Sequence, residues 1–286
     1  MSDVTTQPTH RLREGLRVLA IGNSFAVNNS KYIPKIAHDL GVQDITVGVI
    51  YRGGCSLRQH IDFAHSEEAA YWYYETVNTS AAGEGAGYEF LTDEAKEVSG
   101  DFTCEKDVSF EDCIRRHDWD IITFQQRSDD SGRPAPYDDL GELAEIVRGY
   151  CPRAEFLWNM TWTYAGYCPY EGFDNYQKDQ ETMQQAILTA VRDKICPQSY
   201  IRDIIPCGNL IHRLRALYGD VFQVSDGVHL NTAGEFATGV LWCHVLLHTP
   251  VDRLTFRPDG VSEEMAEQIK RLVPLVAADP VNGGLL

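Results

Sequence analysis

The chain has 286 residues, 43% of them hydrophobic, and a formal net charge of −17. That length buries a full core and fits one α/β domain, while the acidic balance argues against nucleic acid or an anionic membrane face as partner. Eight scattered cysteines with no C-x-x-C pair read as reduced thiols rather than as a disulfide framework or a zinc site.

The opening MSDVTTQPTHRLREG has no apolar stretch behind a basic start, so no secretory signal is expected. No apolar run approaches the roughly 20 residues of a membrane span, and the default expectation is a soluble, cytoplasmic protein. The first expected strand, 16–21, runs into Gly22-Asn23-Ser24. That turn either caps a helix or presents Ser24 at the carboxyl end of a sheet. A helix over 31–40 and a strand over 45–50 follow, the latter ending near Gly53-Gly54.

Residues 56–110 hold more chain than one crossover needs: Tyr71-Trp72-Tyr73-Tyr74, a glycine-rich loop at 81–87, and 88–91. They read as an insertion over one end of the sheet, with the aromatics packed internally. Beyond it, strands are expected at 120–125, 155–158 and 200–205. Helices are expected at 110–117, 137–150, 175–196, 209–218, 232–248 and 262–275. Short β-branched runs alternating with helical patterns predict an α/β fold: a three-layer, flavodoxin-like, mostly parallel five-stranded sheet with helices on both faces. One domain, 1–286, would then carry the insertion and a helical extension at 250–286, with ligands at the carboxyl ends of the strands. No G-x-G-x-x-G loop is present, and no cofactor is expected.

Near the C-terminus, VSDGVHLNTAGEF sets Asp226 three residues before His229. Such a turn can fold the carboxylate onto one imidazole nitrogen and leave the other facing outward, the arrangement of a general base with its orienting acid. A plain Asp-Gly turn beside a helix start is the alternative. An acyl-transfer serine also needs donors for the oxyanion. Gly53-Gly54 after the second strand can bring backbone N–H groups near a ligand. Gln125 or Gln126 after the third can offer an amide, and because neighbours leaving a strand diverge, only one should face the site. The sequence does not choose between them; Gln126 is preferred.

Gly22-Asn23-Ser24, Gly54, the third-strand amide and Asp226-x-x-His229, in this order over about 16–248, resemble the SGNH/GDSL hydrolase superfamily. The resemblance implies Ser24 as nucleophile, His229 as base, Asp226 as its acid partner, and an oxyanion hole from the N–H groups of Ser24 and Gly54 plus a side-chain amide. Two departures stand out. Gly-Asp-Ser is Gly-Asn-Ser here, and the Gly-x-Asn-Asp block is Gln125-Gln126-Arg127-Ser128. A Gln-Gln-x-Ser block followed by Met160-Thr161-Trp162-x-Tyr164 looks like a bacterial branch classed as a domain of unknown function, and a glutamine here also resembles carbohydrate-directed members. Absence of G-x-S-x-G counts against the α/β-hydrolase fold.

Asn23, Trp162 and Tyr164 are the candidate substrate contacts, the aromatics because sugar rings stack on flat apolar faces; loop packing is their alternative. Asn28 and Asn29 either meet substrate hydroxyls or serve the turn. His60 and His65 lack acidic partners at metal-site spacing, so no metal is expected, and Arg127 reads as a salt-bridging residue. The expected activity is hydrolysis of short acyl esters, acetyl first, on a small hydroxylated substrate such as an acetylated sugar. A non-catalytic carbohydrate binder on the same fold and a lipase- or thioesterase-type hydrolase are the alternatives. The composition leaves a homo-oligomer open.

Overall fold

The computed structural model describes residues 15–66, 68–78 and 102–282. The expected glycine-rich loop at 81–87, the stretch 88–91 and the N-terminal segment 1–14 lie outside the described residues. Five strands form a parallel sheet: β1 (Arg17–Gly22), β2 (Ile45–Tyr51), β5 (Ile121–Phe124), β6 (Glu155–Asn159) and β7 (Ile201–Ile205). Two further strands, β3 (Tyr71–Asn78) and β4 (Phe102–Val108), add antiparallel at one edge. The spatial order is β4-β3-β2-β1-β5-β6-β7, so among the described residues the sheet has seven strands rather than the five expected. The extra pair comes from the segment read as an insertion. Of its aromatics among the described residues, Tyr71, Tyr73 and Tyr74 pack internally, at most 1% exposed, while Trp72 is partly buried.

Around the sheet lie α1 (Ser24–Ser30), α2 (Ile33–Asp39), α3 (Leu57–Ser66), α4 (Phe110–Ile114), α5 (Leu140–Tyr150), α6 (Gln180–Ala190), α7 (Cys207–Tyr218), α8 (Thr232–Leu247) and α9 (Glu263–Ala278). α8 is the hub of one layer, packed against α1, α2, α7 and α9, while α3 packs against α4 and α5 in the other. Buried on both sides, the central strands read as near-continuous apolar runs: all four residues of β5 are buried, as are Val18 to Ile21 of β1.

The sheet carries the carboxyl ends of β2, β1, β5 and β6 side by side, and the loops leaving them meet at one rim. All eight cysteines are free thiols. No helix among the described residues is long and apolar enough to cross a membrane.

Candidate active site

Ser24 opens α1 directly after β1. Asn23 is the cap: its Oδ1 accepts the N–H of Phe25 at 3.1 Å. The helix is short and its residues (SFAVNNS) are indifferent helix formers, so tertiary ties hold it. One is Glu235 of α8, 5% exposed, whose carboxylate accepts from Asn28 Nδ2 at 2.9 Å and from Lys31 Nζ at 2.8 Å. Asn28 Oδ1 in turn accepts the N–H of Leu230, next to His229, at 3.3 Å. Asn28 and Asn29 are buried in the helix and so meet no substrate hydroxyl.

The other half of the site is the loop before α8. Residues Gln223 and Leu230 form an antiparallel bridge, and Val224 N–H donates to His229 O at 2.9 Å, closing a tight loop. Inside it Asp226 Oδ1 accepts the N–H groups of Val228 (2.8 Å) and His229 (3.0 Å), while Oδ2 lies 2.6 Å from His229 Nδ1. His229 Nε2 lies 2.8 Å from Ser24 Oγ across 205 positions of chain. A carboxylate on Nδ1 assigns the ring proton there and leaves Nε2 to accept from the serine hydroxyl. Partial burial would raise the Asp226 pKa, but the imidazole and the two backbone N–H groups prevail and hold it below the ordinary carboxylate value.

Gly54 sits in the exposed turn leaving β2, closed by Cys55 N–H to Arg52 O at 3.1 Å. Its φ of +61 favours glycine; a Cβ there would meet nothing within 4 Å, so the backbone conformation alone disfavours a side chain. The N–H groups of Ser24 and Gly54 make no hydrogen bond among the described residues.

The third block departs from expectation. Gln126 is fully buried: its Oε1 takes the N–H of Arg127 at 2.9 Å, and Nε2 is enclosed without a partner, so it cannot reach an oxyanion. It is Gln125 that meets the nucleophile turn, and it is spoken for. Its Nε2 donates to Asn23 Oδ1 at 2.8 Å and its Oε1 accepts Asn159 Nδ2 at 3.0 Å. Arg127 pairs with Asp129 and Asp130, as expected of a salt-bridging residue.

The three expected substrate contacts are also relocated. Asn23 is 2% exposed and bonded within the protein, its Nδ2 donating to Cys55 O at 3.2 Å. Trp162 is 0% exposed, stacked on Phe25 at 3.9 Å, with Nε1 donating to Val228 O at 2.9 Å. Tyr164, also 0% exposed, donates to Ser128 Oγ at 2.8 Å. Apolar faces this large are worth most when buried, and the core took them. Trp162 instead bridges the residue after Ser24 to the residue before His229. The aromatics left open are Tyr167 and Tyr170, 49% and 44% exposed; the Tyr167 hydroxyl donates to Val224 O at 3.1 Å in the Asp226 loop. Their place in YAGYCPY, rich in turn formers, was the available signal.

Arg215, its side chain 9% exposed, fastens this loop to the segment that follows β6: its Nε lies 2.5 Å from Asp220, and it donates to Thr163 and to Gln223. Of the two histidines set aside as metal ligands, His60 is buried against Tyr71 and His65 lies 3.6 Å from Glu142. A cavity of about 760 Å³ lies at the opposite, amino ends of the strands, lined by Arg17, Ile121, Glu155 and Arg202 among others, far from this chemistry.

A family model described as "Domain of unknown function (DUF4886)" matches residues 92–273. A crystal structure of a DUF4886 family protein from Bacteroides uniformis ATCC 8492 is 26% identical, with a TM-score of 0.81 over 93% of this chain and 96% of that one. A Slackia heliotrinireducens protein provisionally assigned as an SGNH hydrolase is 18% identical, with a TM-score of 0.46 over 82% of this chain and 98% of its own. A carbohydrate esterase family 3 protein from Talaromyces cellulolyticus is 12% identical, with a TM-score of 0.44 over 78% and 92%. The last two likenesses are too loose to bear on activity. No curated protein matches the sequence.

Proposed function

The chain belongs to the DUF4886 family, and from the geometry at Ser24 we propose that it is a serine esterase of the SGNH/GDSL type. Its substrate would be a short acyl ester, acetyl in the first instance, of a hydroxylated compound such as a sugar. The observation that carries this reading is the unbroken line Ser24 Oγ–His229 Nε2 (2.8 Å) and His229 Nδ1–Asp226 Oδ2 (2.6 Å).

In the proposed sequence Ser24 Oγ adds to the ester carbonyl carbon while its proton passes to His229 Nε2. The carbonyl oxygen becomes an oxyanion, held by the N–H groups of Ser24 and Gly54, which make no hydrogen bond among the described residues. Collapse breaks the bond to the alcohol oxygen, which leaves with the proton from His229. Water then adds to the acyl-enzyme, giving its proton to His229, and the acid departs as Ser24 recovers its own. Asp226 stays ionised throughout and stabilises the imidazolium. Tyr167 and Tyr170 are the candidates for stacking on the alcohol half, since both keep open faces.

The test is acetate release from p-nitrophenyl acetate and from acetylated sugars. Ser24-dependent turnover is the expected result; wild-type activity no greater than that of Ser24→Ala across a broad ester panel counts heavily against it. A second reading, a non-catalytic carbohydrate binder, is favoured by one observation: neither Gln125 nor Gln126 is available as an oxyanion donor. It predicts sugar binding by calorimetry and no fluorophosphonate labelling of Ser24.

A further inference from the structure

Four hydrogen-bonded groups run across the sheet rim: Asn159 Nδ2 to Gln125 Oε1 (3.0 Å), Gln125 Nε2 to Asn23 Oδ1 (2.8 Å), and Asn23 Nδ2 to Cys55 O (3.2 Å). They come from the carboxyl ends of β6, β5, β1 and β2, which are consecutive neighbours in the sheet. All three side chains are at most 3% exposed. Two backbone groups set the polarity of the chain. The Phe25 N–H can only donate and the Cys55 carbonyl can only accept, so Asn23 must turn its oxygen to the first and its nitrogen to the second. Asn23 Oδ1 then needs a donor from Gln125, which leaves Gln125 Oε1 to accept from Asn159. Gly22 makes room: a Cβ there would lie 2.8 Å from Gln125 Cδ.

We infer that Asn23, Gln125 and Asn159 form one positioning relay that fixes the Gly54–Cys55 turn beside Ser24, and that Asn23 and Gln125 specify one another. The part of this that concerns catalysis rests on the proposed esterase activity. An aspartate at 23 could accept from Phe25 and Gln125 but could not donate to Cys55 O; its carboxylate would face a carbonyl. A glutamate at 125 could not donate to Asn23. So Gly-Asn-Ser and the third-block glutamine, two separate departures on paper, are two halves of one device. None of the three side chains is open to substrate; they act through the backbone of residues 54 and 55.

The experiment compares wild type, Asn23→Asp, Gln125→Met, the double variant of these two, and Gln125→Glu. For Asn23→Asp, kcat for p-nitrophenyl acetate should fall by roughly 10²-fold, as for a displaced catalytic group, with KM changed by less than about threefold. Its activity relative to wild type at the same pH should rise as pH falls, because a protonated carboxyl regains a donor for Cys55 O. The double variant that combines Asn23→Asp with Gln125→Met, which sets no second carboxylate beside the first, should lose little beyond the worse single one. A wild-type kcat in Asn23→Asp, a loss confined to KM, a ratio flat with pH, or additive effects of the two changes would each overturn the relay. The backbone amide resonance of Gly54 in ¹⁵N-labelled protein gives a readout without turnover. It should move in Asn23→Asp, Gln125→Glu and Gln125→Met alike, and a fixed resonance in folded variants overturns the relay. If the wild type shows no Ser24-dependent hydrolysis, the esterase reading falls, and the Gly54 resonance alone decides the relay.

Discussion

Asp226 keeps 45% of its side chain exposed, more than a buried orienting acid needs, yet its pKa is held down because three donors converge on its two oxygens. A carboxylate depressed in this way remains ionised as the medium is acidified, until the pH falls through its own lowered value. Loss of activity at milder acidity therefore does not come from Asp226. Replacing it with asparagine keeps the shape but offers Nδ1 an amide that permits the wrong tautomer. Asp226→Asn should lower kcat by roughly 10³–10⁴-fold with little change in KM, measured by steady-state hydrolysis. Trp162 makes a different prediction. As a wall for substrate it would affect KM. As placed, its indole N–H holds the Val228 carbonyl and its ring backs Phe25. Trp162→Phe removes one buried hydrogen bond, worth about 1 kcal/mol, so kcat should drop by about fivefold while KM stays put. A KM effect without a kcat effect would return Trp162 to the substrate.

Between α1 and α8, Glu235 joins Asn28 and Lys31 in a nearly dry setting, the Lys31 side chain being 13% exposed. Glu235→Ala leaves that ammonium and an amide without their carboxylate, a loss of about 3–5 kcal/mol by analogy with other broken buried pairs. Urea unfolding measures it, and kcat should fall too, because α1 carries Ser24. The legibility of the elements follows the range of the forces that make them. The five parallel strands were readable because burial on both faces writes itself locally as β-branched runs. β3 and β4 were not, because their evidence is a partner: YWYYETVN becomes a strand by pairing with β2, and its alternation is blurred by aromatics buried on both sides. α1 was missed because SFAVNNS lacks helix propensity and is held from α8, over 200 positions away. The site divides in the same way. Ser24, Asp226 and His229 could be named from short motifs in a known order. That Gln125 braces rather than donates depends on Asn23 and Asn159, 102 and 34 positions off, and no local pattern reports those partners.

The whole molecule answers to pH through two opposed effects. Its formal charge is −17 at neutrality and its sequence pI is about 4.8, so acidification from pH 7 relieves self-repulsion and favours the compact state. His60 works the other way. Burial beside Tyr71, whose hydroxyl lies 2.9 Å from Nδ1, pushes the His60 pKa from 6.5 down to about 3. The imidazole is thus neutral in the folded chain, while the unfolded chain takes up a proton below about pH 6.5. Wherever the unfolded state binds more protons, stability falls as pH falls; here that window runs from about 6.5 down to about 3, at about 1.4 kcal/mol per pH unit. Carboxylates with lowered values, Asp39 and Asp226 among them, act in the same direction but only below their ordinary unfolded range near 4. The two are therefore separable by window. His60→Phe removes the titrating group and leaves the charge of the folded surface untouched, so subtracting its stability from that of wild type cancels the global term. At pH 7 the variant should be less stable by about 1–2 kcal/mol for the lost Tyr71 hydrogen bond. By pH 5 the difference should shrink by about 2 kcal/mol and vanish or reverse, as read from urea unfolding at fixed ionic strength. A difference that stays constant between pH 7 and pH 5 means that His60 takes up its proton in the folded protein over the same range as in the unfolded chain, and that the acid sensitivity of the fold comes from other groups, the partly buried His212 and the carboxylates among them.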